Sequence, residues 1–476
     1  MPAQWTDLSP KLSPSILACL AGAGFAVPTA VQLATIPQLM SYKDVVVQAV
    51  TGSGKTLAFL VPVLEILLKT YKASAFKPTQ LVALVLSPTR ELAAQIHKVL
   101  VVLLEIMECN LTSCLMIGGA NVRESMAKLG NIVIGTPGRI DDLLNNYNIN
   151  CKSLEVLIMD EADRLLDMGF EQQLRSIIRK LPKQRRTGLF SATMTEALGQ
   201  IVKTGLRNPV RVNVKVETAS GLVTESKVPD TLDIGSMLIP YDLKMQVLIS
   251  MICDKPDLKY ICFFATGASV DFFYFVLKRA QFLSHLSLHS LHGKMDPKRR
   301  QAVYEKYTQS QGGVLLCTDV AARGLDIPDI QVVVQFDPPQ DPKSFAHRCG
   351  RTARNGKKGR AVIMLQPHED TFMNFLEIRG IPTKLLDTPD VENMLPSVNL
   401  FAQGLVKTER EAYDKSIKAF VSWVRSYSEH QASFIFDLKK CPIGQVARSY
   451  GLVHLPSMPE LKTLQHDFEA VDVNVF

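Results

Sequence analysis

The sequence predicts an α/β chain: two tandem parallel-sheet blocks followed by a mainly helical C-terminal extension. Three observations predict it. Short apolar runs rich in Val, Ile and Leu alternate with helix-like stretches, as in a doubly wound sheet. The runs are apolar at nearly every residue, as strands buried on both faces must be. Polar clusters follow the runs directly, and in open α/β sheets ligands bind outside the carboxyl ends of strands. A length of 476 residues fits two or three domains, and 47% hydrophobic with 21% charged residues is ordinary globular composition. The expected division is 1–212, a linker at 213–230, a second sheet block at 231–384 and the extension at 385–476.

Residues 1–43 read as two helices, about 12–22 and 29–40, broken by Gly22, Gly24 and Pro28. Phe25 and Gln32 flank this break. A carboxamide can pair bidentately with adenine, so Gln32 could read that base with Phe25 packed on it. The plainer alternative is a helix capped by Thr29, with Gln32 solvated. Residues 44–48 (DVVVQ) form a strand, and 49–56 (AVTGSGKT) a glycine-rich turn into a helix. Gly52 and Gly54 allow a tight turn that presents N–H groups to an anion, and the helix N-terminus adds unpaired donors. In such a loop Lys55 reaches the β/γ-phosphates and Thr56 ligates Mg²⁺. The generic motif opens with Gly; here Ala49 and Val50 stand there, so only its second half matches.

Further strands are expected at 81–86, 131–135, 154–159 and 187–190, with a short one before residues 117–119. They end in SPTREL (87–92), TPGR (136–139), DEAD (160–163) and SAT (191–193). Asp160 and Glu161 stand where a Mg²⁺ ligand and a water-polarising base would stand. The alternative is a solvated helix start, which acids also favour. After the 213–230 linker, which holds Gly221 and Pro229, strands are expected at 260–264, 286–289, 313–317, 332–336 and 361–365. This block has no second GSGKT, so it is expected to supply residues in trans. Arg351 and Arg354, three apart, would share a helix face and present guanidinium forks to a γ-phosphoryl group; an RNA-phosphate patch or a solvated turn is the alternative. Arg323 and Asp326 could face the same cleft. His285, His289 and His292 could suggest a metal trio, but they lie in an alternating apolar strand pattern that no Cys or acid cluster joins, and are read as structural. Residues 413–427 place Ile417, Phe420, Val421 and Val424 on one helix face, read as packing on the second block, with a basic RNA- or partner-facing side as the alternative.

The net charge of +7 mildly favours an anionic partner. Nine scattered cysteines without Cys-x-x-Cys predict buried thiols in a reducing compartment, not disulfides or zinc. The N-terminus lacks a signal-peptide profile, and no apolar run approaches the ~20 residues of a membrane span. A soluble intracellular protein is expected.

Residues 24–32, 49–56, 88–92, 136–139, 160–163, 191–193, 318–326 and 347–354 together resemble, in order, the motif series of the DEAD-box RNA helicases. In that family Ala opens the phosphate loop. The resemblance implies two RecA-like domains that close on ATP, bend one RNA strand and open a duplex locally. It assigns Phe25, Gln32, Ala49, Thr51, Gly52, Ser53, Gly54, Lys55, Thr56 and Asp326 to ATP, and Thr56 and Asp160 to Mg²⁺. Lys55, Asp160, Glu161, Arg351 and Arg354 would carry hydrolysis, and Ser191, Thr193 and His347 would couple it to closure. Thr89, Arg90, Gly119, Thr136, Arg139, Thr266, Thr318 and Arg323 would line the RNA path. Residues 181–190, 418–427, 458–461 and 471–474 resemble a nucleolar, Spb-type subgroup acting on pre-ribosomal RNA in large ribosomal subunit assembly. That implies a nuclear, nucleolar protein with pre-ribosomal proteins as partners, no membrane and no obligate oligomer. Members often carry a Lys-rich tail beyond the point matching Phe476, so nothing about tail-driven tethering carries over. The rival readings are an ATP-dependent RNA clamp or scaffold with little unwinding, and a DNA helicase or unrelated phosphoryl-transfer enzyme.

Overall fold

The computed structural model describes residues 3–49, 52–73, 77–119, 122–127, 129–147, 149–213, 231–319, 327, 330–340, 342–353, 357–389, 391, 397–462 and 464–471. The chain divides into two compact units, residues 1–215 and residues 216–323 with 327–476.

In the first unit, α1 (Pro14–Gly22) and α2 (Ala30–Met40) precede β1 (Val45–Gln48) and α3 (Lys55–Ala73). Then β2 (Ala83–Leu86), α4 (Arg90–Met107), β3 (Ser113–Met116), α5 (Val122–Ala127), β4 (Ile132–Gly135) and α6 (Pro137–Asn146) alternate. They are followed by β5 (Val156–Met159), α7 (Ala162–Asp167), α8 (Glu171–Lys180), β6 (Arg186–Ser191), α9 (Glu196–Gly205) and β7 (Val210–Asn213). The strands pair in parallel in the order β3-β4-β2-β5-β6-β1-β7. β2, β4, β5 and β6 are buried at every residue, which is why their sequence shows no alternation. One apolar cluster, with Phe59, Val85 and Phe190, fills the face under α3 and α4. Another, with Leu84, Leu157 and Leu174, fills the opposite face.

The second unit holds β8 (Leu232–Leu238), α10 (Lys244–Asp254), β9 (Lys259–Phe263), α11 (Gly267–Arg279), β10 (Leu288–Leu291), α12 (Pro297–Gln309) and β11 (Gly313–Cys317). It continues with β12 (Val332–Gln335), the helix Pro342–Cys349, β13 (Gly359–Leu365) and a short edge strand β14 (Lys384–Leu385). The order β10-β11-β9-β12-β13-β8-β14 repeats that of the first sheet, each strand number raised by seven. The helices Val398–Thr408, Arg410–Ser428 and Ile443–Ser449 follow, and Arg410–Ser428 packs along α11.

Some expectations shift. Asn213, expected in the linker, closes β7 opposite Gln48; residues 214–230 lie outside the described residues. The strand expected at 286–289 falls at Leu288–Leu291, because pairing with β11 sets Leu288 opposite Val314 and Leu291 opposite Cys317. On Arg410–Ser428 the buried stripe is Ala412, Ser416, Ala419, Phe420, Trp423, Val424 and Tyr427. Ile417 and Val421, expected in that stripe, are half-buried at its border. Cys109 and Cys253 are half-buried and the other cysteines buried; all nine are free thiols. Among the described residues, no helix is long and apolar enough to cross a membrane.

Candidate functional site

Hydrogen bonds continuing past the strand ends of the first unit bring the polar clusters side by side. Thr136 N donates to Met116 O, Ser87 N to Gly135 O, Asp160 N to Leu86 O, and Ala49 N to Ser191 O. The chain therefore leaves each strand at one edge of the sheet.

The glycine-rich turn leaves β1 there. Gly52 and Gly54 have φ of 80° and 92°, a region L side chains rarely adopt. A Cβ on Gly54 would stand 2.6 Å from Gln32 Nε2 and 2.9 Å from Thr29 Oγ1. Gln32 is the reason for that closeness. Its Oε1 accepts from Thr29 N at 2.8 Å, closing a capping box at the start of α2, and its Nε2 donates to Gly54 O at 3.0 Å. Gln32 is only 3% exposed, so the alternative of a solvated side chain does not hold, while its helix-cap half does: Gln32 caps α2 and braces the turn together. Phe25 is half-buried against the core, its carbonyl accepting from Trp5 Nε1 at 2.8 Å. Lys55 opens α3, and its Nζ donates to Ala49 O at 2.8 Å. Thr56, one residue on, is half-buried, and Thr51 lies outside the described residues.

Asp160 and Glu161 follow β5 and are 4% and 7% exposed. Burial pushes the Asp160 carboxyl up to about 7; Glu161 pushes the same way, and Lys55 pulls it down. Glu161 N donates to Asp160 Oδ1 at 3.0 Å. Glu161 has φ 45°, a left-handed conformation uncommon for a residue with a side chain. Its Oε2 is buried and accepts no hydrogen bond among the described residues. A buried carboxylate oxygen without a donor of its own can take up and orient a water. Asp163 Oδ2 accepts from Thr193 N at 3.1 Å and Thr193 Oγ1 at 2.8 Å, and Ser191 Oγ donates to Thr193 O at 2.7 Å. The end of β6 is thus tied to the acidic turn.

A second group gathers at the ends of β2, β3 and β4. Thr89 caps α4 through Leu92 N at 3.2 Å. The Arg90 guanidinium lies against Gly118 and Gly119, where a Cβ would meet its nitrogens at 3.0 Å. Arg139 Nε donates to Ile117 O at 3.1 Å. Thr136 precedes α6. The structure therefore brings Thr89, Arg90, Gly119, Thr136 and Arg139 together on one edge.

In the second unit, Thr266 caps α11 through Ser269 N at 3.1 Å, and Thr318 N donates to Leu291 O at 3.4 Å. His347 lies on Pro342–Cys349, and its carbonyl accepts from Arg351 Nε at 3.3 Å. That helix ends at Cys349, so Arg351 stands in the turn beyond it and the shared helix face with Arg354 is corrected. Arg323, Asp326 and Arg354 lie outside the described residues. His292 Nε2 meets Asp271 Oδ1 at 2.9 Å, His289 Nε2 meets Ser287 Oγ at 3.0 Å, and His285 is exposed.

The model of the DEAD/DEAH box helicase family matches residues 29–201, and that of the helicase conserved C-terminal domain matches 243–356. A third model, the C-terminal extension of SPB4-like ATP-dependent rRNA helicases, matches 409–458. The chain is 46% identical over 468 residues to "DEAD-box ATP-dependent RNA helicase 18" of Arabidopsis thaliana, covering 96% of this chain and 78% of that protein. The chain belongs to the DEAD-box RNA helicases. It is 39% identical over 553 residues to "ATP-dependent rRNA helicase SPB4" of Mycosarcoma maydis, covering 97% of this chain and 72% of that one. Among solved structures, the DEAD-box helicase Mss116 bound to single-stranded RNA and UDP-BeF superposes with a TM-score of 0.81 at 25% identity, covering 95% and 92% of the two chains. The enzyme is an ATP-dependent RNA helicase, with ATP and RNA as its substrates.

Sequence reasoning about this helicase missed two sets of residues. Asp163 was legible only as a motif letter, yet it carries the bond to Thr193. Arg348 donates to both oxygens of Asp319, at 2.6 and 2.9 Å, and to Asp337 O at 2.7 Å. Asp337 follows an apolar run as Asp160 does, and that shared position was the available signal.

Proposed function

We propose that this helicase is an RNA-stimulated ATPase that remodels pre-ribosomal RNA by local strand separation during large ribosomal subunit assembly, in the nucleolus. The observation that carries the reading is the SPB4-like extension matched at 409–458 behind a helicase core. Pre-ribosomal proteins are its expected partners. In this reading the first block ends at Asn213, a linker follows to 230, the second block runs from 231 to 384 and the extension from 385.

In this reading Phe25 and Gln32 take the adenine. Ala49, Thr51, Gly52, Ser53, Gly54, Lys55 and Thr56 take the phosphates, with Asp326, Arg351 and Arg354 acting on the same ATP. Thr56 and Asp160 would hold Mg²⁺, which would neutralise phosphate charge; the buried, charge-starved Asp160 carboxyl suits a cation. Glu161 orients the attacking water through its Oε2, which accepts no hydrogen bond among the described residues. Ser191, Thr193 and His347 couple hydrolysis to closure. Thr89, Arg90, Gly119, Thr136, Arg139, Thr266, Thr318 and Arg323 contact RNA, through backbone and shape more than base edges.

The test is ATP turnover and strand separation with RNA and with DNA, beside crosslinking of the protein to cellular RNA. RNA, not DNA, should stimulate turnover, and the crosslinks should map to pre-ribosomal RNA. Glu161→Gln should bind ATP and lose turnover. Normal hydrolysis by that variant would sink the site assignment, and crosslinks confined to other RNAs would sink the cellular role.

A further inference from the structure

The two sheets share one topology, so positions in one have counterparts in the other. β8 corresponds to β1, and β12 to β5. In the first unit those strands lead to the phosphate loop and to Asp160. In the second they lead to Tyr241 and to Asp337, and α10 opens with Lys244 as α3 opens with Lys55. No phosphate loop stands there. Tyr241, Lys244 and Asp337 are instead 2% exposed or less. Lys244 Nζ donates to Phe336 O at 3.2 Å and to Met364 O at 2.7 Å.

What closes this counterpart pocket comes from the C-terminal extension. Trp423 Nε1 donates to Asp337 Oδ1 at 3.0 Å, and the Trp423 ring stands edge-on to Tyr241 with centroids 4.9 Å apart. Tyr450 OH lies 3.3 Å from Tyr241 OH and 2.8 Å from Ser269 Oγ. Both lines lead to the turn at residues 265–269. Asp337 Oδ2 accepts from Ala265 N at 2.9 Å, and Ser269 Oγ lies 2.8 Å from Thr266 Oγ1. Burial pushes the Tyr450 phenol up, which keeps its proton available for these bonds.

We propose that Trp423 and Tyr450 are positioning residues for RNA binding: the extension fills the second unit's counterpart of the nucleotide pocket and from there sets the turn that carries Thr266. This rests on the reading that Thr266 contacts RNA. Asp337 Oδ1 accepts from Trp423 Nε1 and also from Tyr241 OH at 3.1 Å, so without Trp423 Nε1 the buried carboxylate keeps fewer donors and its hold on Ala265 N loosens. Tyr450 acts on the same turn directly.

The test uses Tyr450→Phe, which removes one oxygen and keeps the ring, Trp423→Phe, and Thr266→Val as the check on the underlying reading. Each full-length protein is titrated with a single-stranded RNA oligonucleotide, reading both ATPase stimulation and fluorescence anisotropy. ATP binding without RNA is measured separately. Tyr450→Phe and Trp423→Phe should each raise the half-saturating RNA concentration about five- to tenfold, the scale of one or two lost hydrogen bonds. RNA-free ATP binding should stay unchanged, which a general loss of structure would not allow. If Thr266→Val weakens RNA binding and Tyr450→Phe does not, the positioning role is overturned and the RNA reading stands. If Thr266→Val leaves RNA binding intact, both are overturned.

Discussion

At the residue scale, the informative groups are buried polar atoms whose partners are few and specific. Thr193, half-buried, donates from Oγ1 to Asp163 Oδ2 at 2.8 Å. Thr193→Val keeps the shape and removes that bond, worth about 1.5–3 kcal/mol for a charged acceptor. ATP hydrolysis should persist within a few-fold while strand separation is lost; equal loss of both would place Thr193 in the chemistry itself. His289 supplies a pH test. Its imidazole is held below the ordinary 6.5, by burial first and then by Lys306 and Lys278. The native state then binds fewer protons than the unfolded chain as pH falls through 6.5, so this stability is full above 6.5 and declines below it. Denaturant midpoints measured from pH 7.5 to 5.5 should fall less steeply for His289→Gln than for the natural protein.

At the element scale, Arg410–Ser428 is anchored by its buried stripe. Phe420 is wholly buried, and Phe420→Ala should cost about 3–5 kcal/mol. Lys418 lies on the exposed side of the same helix, and Lys418→Ala should stay within about 0.5 kcal/mol. Urea unfolding of the two variants checks both, and similar costs would mean the helix is not held by that face. Helical period was legible here from Ile417, Phe420, Val421 and Val424, but the centre of the stripe was not. Trp423 and Tyr427 lie at its centre because Asp337 and Glu369 offer hydrogen-bond partners, Tyr427 OH donating to Glu369 Oε1 at 2.8 Å. Likewise β10 shifted by two residues because its register is set by β11, not by its own alternation.

At the scale of the whole molecule, RNA affinity should follow phosphate contacts. Log affinity for a single strand falls with log salt by about 0.7 per contact. Arg139→Ala should lower that slope by about 0.7 if its guanidinium neutralises one phosphate. Anisotropy titrations between 50 and 200 mM salt, the range over which such slopes show, read this directly. An unchanged slope would mean that Arg139 neutralises no phosphate and acts within the protein, where it bonds Ile117 O and pairs with Asp142.

The sequence by itself determined the class of fold, the order of strands along the chain and the places where a glycine-rich turn and an acidic turn leave them. Those follow from local patterns: apolar runs, glycines at a turn, and acids just past a strand. Tertiary structure alone decided that Gln32 braces Gly54, that Asp163 holds Thr193, and that Arg351 stands beyond a helix end. It also decided that Trp423 reaches Asp337, 86 residues away in the chain. Each of these bonds joins residues whose proximity depends on parallel pairing and helix packing, and no local pattern encodes a partner that only the closed fold supplies.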